Sequence, residues 1–348
     1  MVSIPIIGPD TPSGDKHYKT PKAFPIGPHF KRYEHNPILT PNPDNEWEAA
    51  YVYNATAIVV DEYVFLLYRA QNKARTSSVG LAWSKDGYNF RRYYKPVLYP
   101  TEKWEERGGC EDPRIVRDPV SKKFIMTYTA YDGAHARLCV AESFDLFHWK
   151  KHPPIIKDDN FDEVANALDG SHFIRRAWSK SGAVFVDKHK DGKYYMIWGE
   201  SGFYLATSPD LVHWEITSNN YSSAVFTTGK FNWQDRLIEP GPAPIKIDTG
   251  NRHQNYYILF YNSSTIGGGP YPKATYTISQ MLIDYDNLKD GPLARLEKPV
   301  LVPEDASEVT GQVDKVVFTE GVVQFKGQWF LYFGQGDSKL GVATCPAY

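Results

Sequence analysis

The chain has 348 residues, with 39 basic and 41 acidic side chains and a formal net charge of -2. This near neutrality excludes the electrostatic pattern of a nucleic-acid-binding protein, and no apolar run approaches the roughly 18 residues of a membrane span. Only 3 cysteines are present, an odd and sparse set that argues against a disulfide framework, while 15% aromatic residues with 26 Gly and 25 Pro favour a soluble, turn-rich β protein.

The N-terminal part of the chain has no regular pattern. We predict an irregular N-terminal arm over residues 1–35 and a single domain over residues 36–348. The first residues, Met1 to Ile6, lack a basic region followed by an apolar core, so no signal peptide is expected. A cytoplasmic location follows, or a periplasmic one if a signal peptide has been removed, and the arm leaves formation of a homo-oligomer open.

A strand-like run that ends in an aromatic residue recurs five times along the chain. The final residues of these runs lie 60, 70, 63 and 72 positions apart: Tyr68, Tyr128, Trp198, Tyr261 and Phe333. About ten residues later most runs are followed by a second one, such as Leu205-Ala206-Thr207-Ser208, that leads into a Ser-x-Asp turn. Units this small cannot bury their own apolar faces, so the pattern predicts an all-β, five-bladed β-propeller. A pair of β-sandwiches is the alternative.

The glycine-rich stretch from Thr265 to Thr277 is predicted to be a long loop. It is not a phosphate-binding loop, because no Gly-Lys-Ser/Thr sequence follows Gly267-Gly268-Gly269 and no helix begins there.

Polar residues stand where the predicted strands should be apolar, at the start of the first strand of a unit or just after its aromatic strand. A propeller would bring them to its central funnel: Asn54, Arg69, Glu111, Asp112, Lys180, Glu200, Glu239 and Asp337. Buried polar groups need partners or a ligand, and carboxylate and guanidinium groups suit the hydroxyls of a sugar. Inverting cleavage of a glycosidic bond uses one carboxylic acid to protonate the leaving oxygen and another to activate water. The alternative for each carboxylate is a turn cap or an ion-pair partner.

Three motifs carry a resemblance to a known family: Asn36-Pro37-Ile38-Leu39, Gly109-Cys110-Glu111-Asp112-Pro113-Arg114 and Tyr332-Phe333-Gly334-Gln335-Gly336-Asp337. Through these motifs the chain resembles glycoside hydrolase family 130, and the resemblance covers about residues 30–348. That family comprises five-bladed propellers, mostly inverting β-mannoside phosphorylases with some β-mannosidases. The resemblance therefore implies a mannose-containing oligosaccharide as the substrate.

The resemblance also implies roles for individual residues. Asp112 would be the catalytic acid, which donates its proton through the 3-hydroxyl of the mannose in the -1 subsite. Asn54, Arg69 and Asp337 match positions that hold this mannose, and Glu111 is expected to bind substrate beside them. Lys180 matches a basic residue that contributes to the phosphate site of the phosphorylases.

Departures from the family pattern bear on the reaction type. Many of the phosphorylases have a His-Arg pair where this chain has Gly199-Glu200. An acid at the position of Glu239 resembles the branch of the family that acts on β-1,2-linked mannosides. The loop after Tyr131 also starts with Asp132 rather than a basic residue, with basic groups only at His135 and Arg137.

A phosphate nucleophile carries about -1.5 to -2 charge, so added carboxylates would repel it unless several cations compensate. The sequence thus predicts an inverting exo-β-mannosidase that hydrolyses β-1,2-linked oligosaccharides, with Glu200 or Glu239 as general base. A β-mannoside phosphorylase that releases mannose 1-phosphate is the alternative, and inorganic phosphate would be its co-substrate. No metal site and no cofactor are predicted.

Two further classes compete. A non-catalytic sugar-binding propeller would have no use for the Asp112 motif. The furanosidase and fructosidase propellers open their first blade with an acid, where this chain has Asn54.

Overall fold

The computed structural model describes residues 4–27 and 29–348. Met1 to Ser3, part of the segment considered above for a signal peptide, lie outside these ranges. Within them the secondary structure is mostly β-strand, as predicted, and no helix is long and apolar enough to cross a membrane. The helices are short, namely α1 (Ala306–Val309) and 3-10 turns at Glu46–Glu48, Lys103–Glu105, Lys157–Asp159, Tyr221–Ser223 and Tyr285–Asp290.

The largest sheet joins two antiparallel units. Unit 1 consists of β2 (Tyr51–Val60), β3 (Tyr63–Gln71), β4 (Ser77–Ser84) and β5 (Arg91–Arg92). Unit 2 consists of β6 (Gly109–Arg117), β7 (Phe124–Tyr131), β8 (Ala136–Ser143) and β9 (Lys150–Lys151). A single parallel pair, Ser77 with Gly109, connects β4 to β6.

The remaining strands form three further antiparallel units and a separate hairpin. The hairpin pairs β10 (Glu163–Asn166) with β11 (His172–Arg175). Unit 3 contains β12 (Ala183–Val184), β13 (Tyr194–Trp198), β14 (Gly202–Ser208), β15 (Glu215–Ile216) and β16 (Phe226–Thr227). Unit 4 contains β17 (Leu237–Pro240), β18 (Ile245–Lys246), β19 (Tyr256–Ser264), β20 (Tyr276–Asp284) and β21 (Pro292–Arg295). Unit 5 contains β22 (Val317–Phe325), β23 (Gln328–Gln335), β24 (Lys339–Pro346) and, from the start of the chain, β1 (Lys31–Arg32).

The predicted aromatic runs all lie in the second long strand of a unit, that is β3, β7, β13, β19 and β23. Their side chains form apolar clusters between successive units. Phe65 of β3 and Phe124 of β7 share one cluster, and equivalent clusters follow for each later pair of units. A fifth cluster joins Phe330 of β23 to Leu66 of β3, so the last unit packs against the first. Burial of these large side chains supplies the core that a single unit cannot form.

The predicted Ser-x-Asp turns form as the chemistry of these side chains requires. In unit 2 the Oδ1 of Asp145 accepts hydrogen bonds from the amides of Phe147 and His148, at 2.9 Å each, and Ser143 Oγ accepts from the amide of Asp145. His148 and its counterpart His213 are exposed, and each pairs with its turn aspartate, Asp145 or Asp210. The glycine-rich loop between β19 and β20 spans 265–275, two residues shorter than predicted.

The predicted N-terminal arm crosses several units. Arg117 of unit 2 donates to the carbonyls of Gly8, Pro9 and Thr11. Gln280 of unit 4 donates to the carbonyl of Ile26 and accepts from its amide, at 2.7 and 2.9 Å. Among the described residues of the arm, β1 is the one strand, and Ser13 forms an isolated bridge with Val60. Strand β1 pairs with Ala343 and Thr344 of β24 and so becomes the outermost strand of unit 5.

Candidate active site

The site begins at irregularities in the first strands of the units. Pairing of β2 with β3 shifts register at Asn54, and pairing of β6 with β7 shifts at Asp112. Both residues have a left-handed backbone, with φ of 45° and 51°, which Asn and Asp adopt more readily than most residues. A β-bulge redirects the side chain of its extra residue. The same shift in β22 falls at Glu320.

Asp112 lies at the centre of a network of donors. Its Oδ1 accepts from Asn54 Nδ2 and Arg69 Nη1, both at 3.0 Å, and its Oδ2 lies 3.3 Å from Lys180 Nζ. Burial alone would raise the pKa of Asp112, but Arg69, Lys180 and the Asn54 amide outweigh it and hold that pKa well below its usual range. Asp112 is therefore ionised when the site holds no ligand.

Arg69 is fixed on several sides. Its Nη2 donates to Glu111 Oε1 at 2.6 Å, its Nε donates to Ser77 Oγ at 3.0 Å, and the guanidinium lies 4.8 Å from the ring centre of Tyr53. Burial, helped by the negative charge of Asp112, raises the pKa of Glu111 despite the neighbouring Arg69. This arrangement presents Arg69 and Glu111 as a rigid pair beside Asp112.

Lys180 connects Asp112 to Glu239. Its Nζ lies 3.3 Å from Asp112 Oδ2 and 3.2 Å from Glu239 Oε1, so these two oxygens are at most 6.5 Å apart. Glu239 Oε1 also accepts from Ser181 Oγ. Burial raises the pKa of Glu239, and the charge of Glu200 adds to this effect. Inverting pairs have separations of about 6.5–9.5 Å, so the Asp112–Glu239 separation lies at or below the lower limit of that range, with Lys180 Nζ between the two oxygens.

Glu200 follows β13 and is held through one oxygen only. Trp178 Nε1 donates to its Oε2 at 2.6 Å, and Arg175 Nη1 binds the same atom. Among the described residues no side chain or amide donates to Oε1. Burial would raise the pKa of Glu200, but Arg175 and Lys180 outweigh it and lower that pKa. Glu200 therefore presents an ionised carboxylate with one free oxygen.

Asp337 lies in the turn after β23, with a left-handed φ of 49°. Burial raises its pKa to about 7, with Asp112 adding to the shift and Arg69 opposing it. No hydrogen bond to its carboxylate is found within the described residues. Asp337 thus lies within electrostatic range of the Asp112 network but outside its direct contacts.

Direct contacts join six of the eight predicted site residues in one network: Asn54, Arg69, Glu111, Asp112, Lys180 and Glu239. Glu200 and Asp337 are linked to it through charge, since Lys180 helps to lower the pKa of Glu200 and partly opposes the rise in the pKa of Asp337. The roles proposed for these residues stay predictions.

The structure adds residues that the sequence reasoning did not select. Arg114 donates to the carbonyls of Pro240 and Gly241 and lies 3.3 Å from Glu320, which is fully buried. Arg114 belongs to the Gly109–Arg114 motif, and a charge within a predicted strand was a usable signal for both residues. Glu163, Arg175 and Trp178 lie on or next to the β10–β11 hairpin, and Arg236 precedes β17. No repeated pattern marked these four.

Nothing in the described part of the chain groups three or more His, Cys, Asp or Glu side chains so that they could hold a metal ion.

The sequence matches known proteins over most of its length. The profile of the family Glyco_hydro_130, described as β-1,4-mannooligosaccharide phosphorylase, matches residues 25–347. A β-1,2-mannobiose phosphorylase from Thermoanaerobacter sp. is 30% identical, over 90% of this chain and 96% of the relative.

Solved structures agree in fold and coverage. One described with glycoside hydrolases that target β-1,2 mannosidic linkages in Candida mannan has a TM-score of 0.80 and 33% identity, over 94% of this chain and 97% of that one. A glycosyl hydrolase from Bacteroides ovatus has a TM-score of 0.80 and 32% identity, with the same coverage of 94% and 97%.

Proposed function

The chain belongs to glycoside hydrolase family 130, and from this premise we propose that it is an inverting, exo-acting β-mannosidase that hydrolyses β-1,2-linked manno-oligosaccharides. The family supports an enzyme that acts on mannosides. The β-1,2 linkage is proposed because both the phosphorylase relative and the structure described with hydrolases are named for it.

One observation carries the choice of water as nucleophile: Arg175 and Lys180, two of the three cations that act on the proposed base, are already paired with carboxylates. Lys180 contacts Asp112 and Glu239, and Arg175 contacts Glu163 and Glu200. A phosphate with about -1.5 to -2 charge would meet Glu200 and Glu239 with neither cation free. At an effective dielectric constant of about 20, two unit charges 4 Å apart repel by about 4 kcal/mol. Water carries no such penalty.

We assign the general base to Glu200. A base must be ionised and have a free oxygen near the water; the lowered pKa of Glu200 and its undonated Oε1 meet both needs. Glu239, with its raised pKa, would instead hold a sugar hydroxyl or the water. In the proposed step, Glu200 takes a proton from water, the water oxygen attacks the anomeric carbon, and the glycosidic bond breaks as its oxygen gains a proton supplied by Asp112. Inversion then gives α-mannose and a shortened oligosaccharide.

Asp112 is proposed as the acid, and its environment sets a condition on that role. Arg69, Lys180 and Asn54 favour its ionised form, so it must gain a proton when substrate binds. If mannose hydroxyls replace Asp112 as the hydrogen-bond acceptors of Arg69 and Asn54, Asp112 loses two donors that favour its ionised form, and its pKa rises. Asp337, with a pKa of about 7, is a neighbouring group that can hold a proton at neutral pH.

The propeller is likewise a proposal. The five units and the five clusters between successive units, including the one between the last unit and the first, support a closed five-bladed ring. Neighbouring units also contact each other through hydrogen bonds, from Ile115 N of unit 2 to Thr56 Oγ1 of unit 1 and from Thr319 N of unit 5 to Asn262 Oδ1 of unit 4.

Phosphorolysis is the second candidate, and Arg236 favours it. Arg236 donates to Ser264 and Tyr276, and within the described residues no carboxylate lies within 4 Å of it. It could therefore bind an anion. The 30% identical relative is also a phosphorylase.

The test is incubation of the enzyme with β-1,2-mannobiose in the presence and absence of inorganic phosphate. We expect equal rates in both, release of mannose and no mannose 1-phosphate, with the first product observed by NMR as the α-anomer. Turnover that requires phosphate would reject hydrolysis in favour of phosphorolysis.

A further inference from the structure

Three units share a structural device outside the proposed active site. Each has a fully buried glutamate that accepts hydrogen bonds from the end of the aromatic strand and from a cation on the outermost strand. These sets are Glu48 with Tyr68 and Arg92, Glu105 with Tyr128 and Lys151, and Glu308 with Gln335 and Arg32. The glutamate in each case precedes the first strand of its unit and ties that unit together.

Unit 3 departs from this device, and it is the unit that carries Glu200. Its aromatic strand ends in Trp198, which has no hydroxyl, and its outermost strand, β15, offers no cation. Glu163 is the buried glutamate that precedes unit 3, and its side chain contacts the segment that carries Glu200. Its Oε1 accepts from the backbone amides of Glu200 and Ser201, at 3.0 and 2.7 Å. Its Oε2 lies 3.4 Å from Arg175 Nη1, the atom that binds the Glu200 carboxylate.

We propose that Glu163 is a positioning residue for Glu200: it fixes the Glu200 backbone and divides the charge of Arg175 with the Glu200 carboxylate. The inference rests on the proposed function, in which Glu200 is the base. Two neighbouring amides are held by one buried oxygen, so the backbone of the turn after β13 is fixed where it carries Glu200. Arg175 is confined by Trp178, whose ring centre lies 5.1 Å away, and cannot follow Glu200 freely.

The charge of Glu163 depends on pH within the working range of an enzyme. Burial and the charge of Glu200 raise the pKa of Glu163 to about 7. Below that pH, Glu163 is neutral and Arg175 acts on Glu200 alone, which weakens Glu200 as a base. Above that pH, Glu163 is ionised and attracts Arg175, so Arg175 stabilises the Glu200 carboxylate less and Glu200 becomes more basic. Several charged or titratable groups face Glu200 from the neighbouring elements: Glu163, Arg175, Lys180, Arg236, Glu239 and Tyr276.

Two substitutions at Glu163 separate its roles. Glu163→Gln keeps an oxygen for the two amides and removes the charge. Glu163→Leu removes both. For Glu163→Gln we expect kcat to fall several-fold at pH 8 and to match the unmodified enzyme at pH 5.5, with KM changed less than about twofold. For Glu163→Leu we expect kcat to fall by about tenfold or more at both pH values.

A third substitution, at Arg175, tests whether this cation is shared between Glu163 and Glu200. Its result does not depend on whether the Glu163 variants fold. Arg175 is partly exposed, at 16% of its side chain, so Arg175→Gln is expected to fold. Loss of the cation raises the pKa of Glu200, so the acidic limb of the pH profile of kcat should move to higher pH by about one unit. Glu105→Gln is the matched control, because Glu105 is also buried and accepts two backbone amides and a cation. It should lower the melting temperature without changing the shape of the pH profile.

The outcomes separate this inference from the proposed function. Phosphate-dependent turnover by the unmodified enzyme would overturn the hydrolase proposal. The positioning role would be overturned by Glu163 variants whose kcat equals that of the unmodified enzyme at both pH values. It would also be overturned if Glu163→Gln lost the same fraction of kcat at pH 5.5 and pH 8 and Arg175→Gln left the acidic limb in place, because that pattern describes a structural residue.

Discussion

Replacement of Glu200 by glutamine gives the most direct test of the proposed chemistry. The substitution keeps the size of the side chain and leaves its carbonyl oxygen able to accept from Trp178 Nε1. It removes the base that takes the proton from water. General-base catalysis contributes about 10²–10⁴-fold, which corresponds to about 3–5 kcal/mol in the activation barrier. We therefore expect kcat for β-1,2-mannobiose to fall by that factor, with little change in KM.

The structure also predicts that a small anion restores turnover in this variant. With glutamine at position 200, Arg175 keeps only Glu163 as a carboxylate partner, so part of its charge becomes available near the vacated position. Azide needs no general base, since it has no proton to lose. Added sodium azide should raise the rate of Glu200→Gln at least tenfold and yield α-mannosyl azide, detected by NMR.

Glu239→Gln is the matched comparison, because Glu239 is buried in the same site and contacts Lys180. Its kcat should fall less, and azide should not restore it. Restoration of Glu239→Gln but not of Glu200→Gln would exchange the two roles. A Glu200→Gln enzyme that retained more than a tenth of its kcat would refute Glu200 as the base, provided that its melting temperature matches that of the unmodified protein.

Three further predictions address the acid, the pH dependence of stability and the arm. Asp112→Asn should lower kcat for β-1,2-mannobiose by about 10²–10⁴-fold, and by much less for an aryl β-mannoside whose leaving group needs no proton; equal losses in steady-state assays would contradict the acid role. The folded-state pKa of Asp337, about 7, lies above its ordinary value of 3.8, so this group's contribution to stability is lost as pH rises towards 7. Asp337→Asn should therefore unfold at higher urea concentration than the unmodified protein at pH 8, and at nearly the same concentration at pH 4; a pH-independent difference would be inconsistent with this. Gln280→Leu removes both hydrogen bonds to Ile26 and should lower the free energy of unfolding by about 1–3 kcal/mol, measured by denaturation, while kcat stays unchanged.

Local patterns in the sequence were sufficient for much of the fold. The five aromatic runs and the Ser-x-Asp turns depend on strand alternation and on side chains that bond their own backbone, so both are visible without tertiary contacts. Strand β1 was not visible, because two residues, Lys31 and Arg32, form it only through pairing with β24. The division into an arm over residues 1–35 and a domain over residues 36–348 stays a prediction.

The candidate site was predictable where it coincided with the repeat and not where it departed from it. Asn54 and Asp112 occupy corresponding bulges in β2 and β6, so a polar residue there was a clear signal. Glu163 and Arg175 lie on a hairpin with no counterpart in the other units, and their pairing with Glu200 exists only in the folded chain. Protonation could not be read from the sequence at all, since the pKa of Asp112 and of Asp337 shift in opposite directions through burial and neighbouring charges.

The balance of charge in the site leads to a last prediction about anions. Seven carboxyls face five cations: Glu111, Asp112, Glu163, Glu200, Glu239, Glu320 and Asp337 against Arg69, Arg114, Arg175, Lys180 and Arg236. Burial raises the pKa of Glu163 and of Asp337 to about 7, so these two groups reduce the excess by holding protons below that pH.

A dianion can enter such a site only if more protons enter with it. Sulfate is a suitable probe because, unlike phosphate, it keeps its double charge from pH 5 to 8. If the site is built for water, sulfate should inhibit mannose release more strongly at pH 5.5 than at pH 8, as Glu163 and Asp337 take up protons near pH 7. Strong inhibition that does not depend on pH would reveal a preformed anion site around Arg236 and would contradict water as the nucleophile.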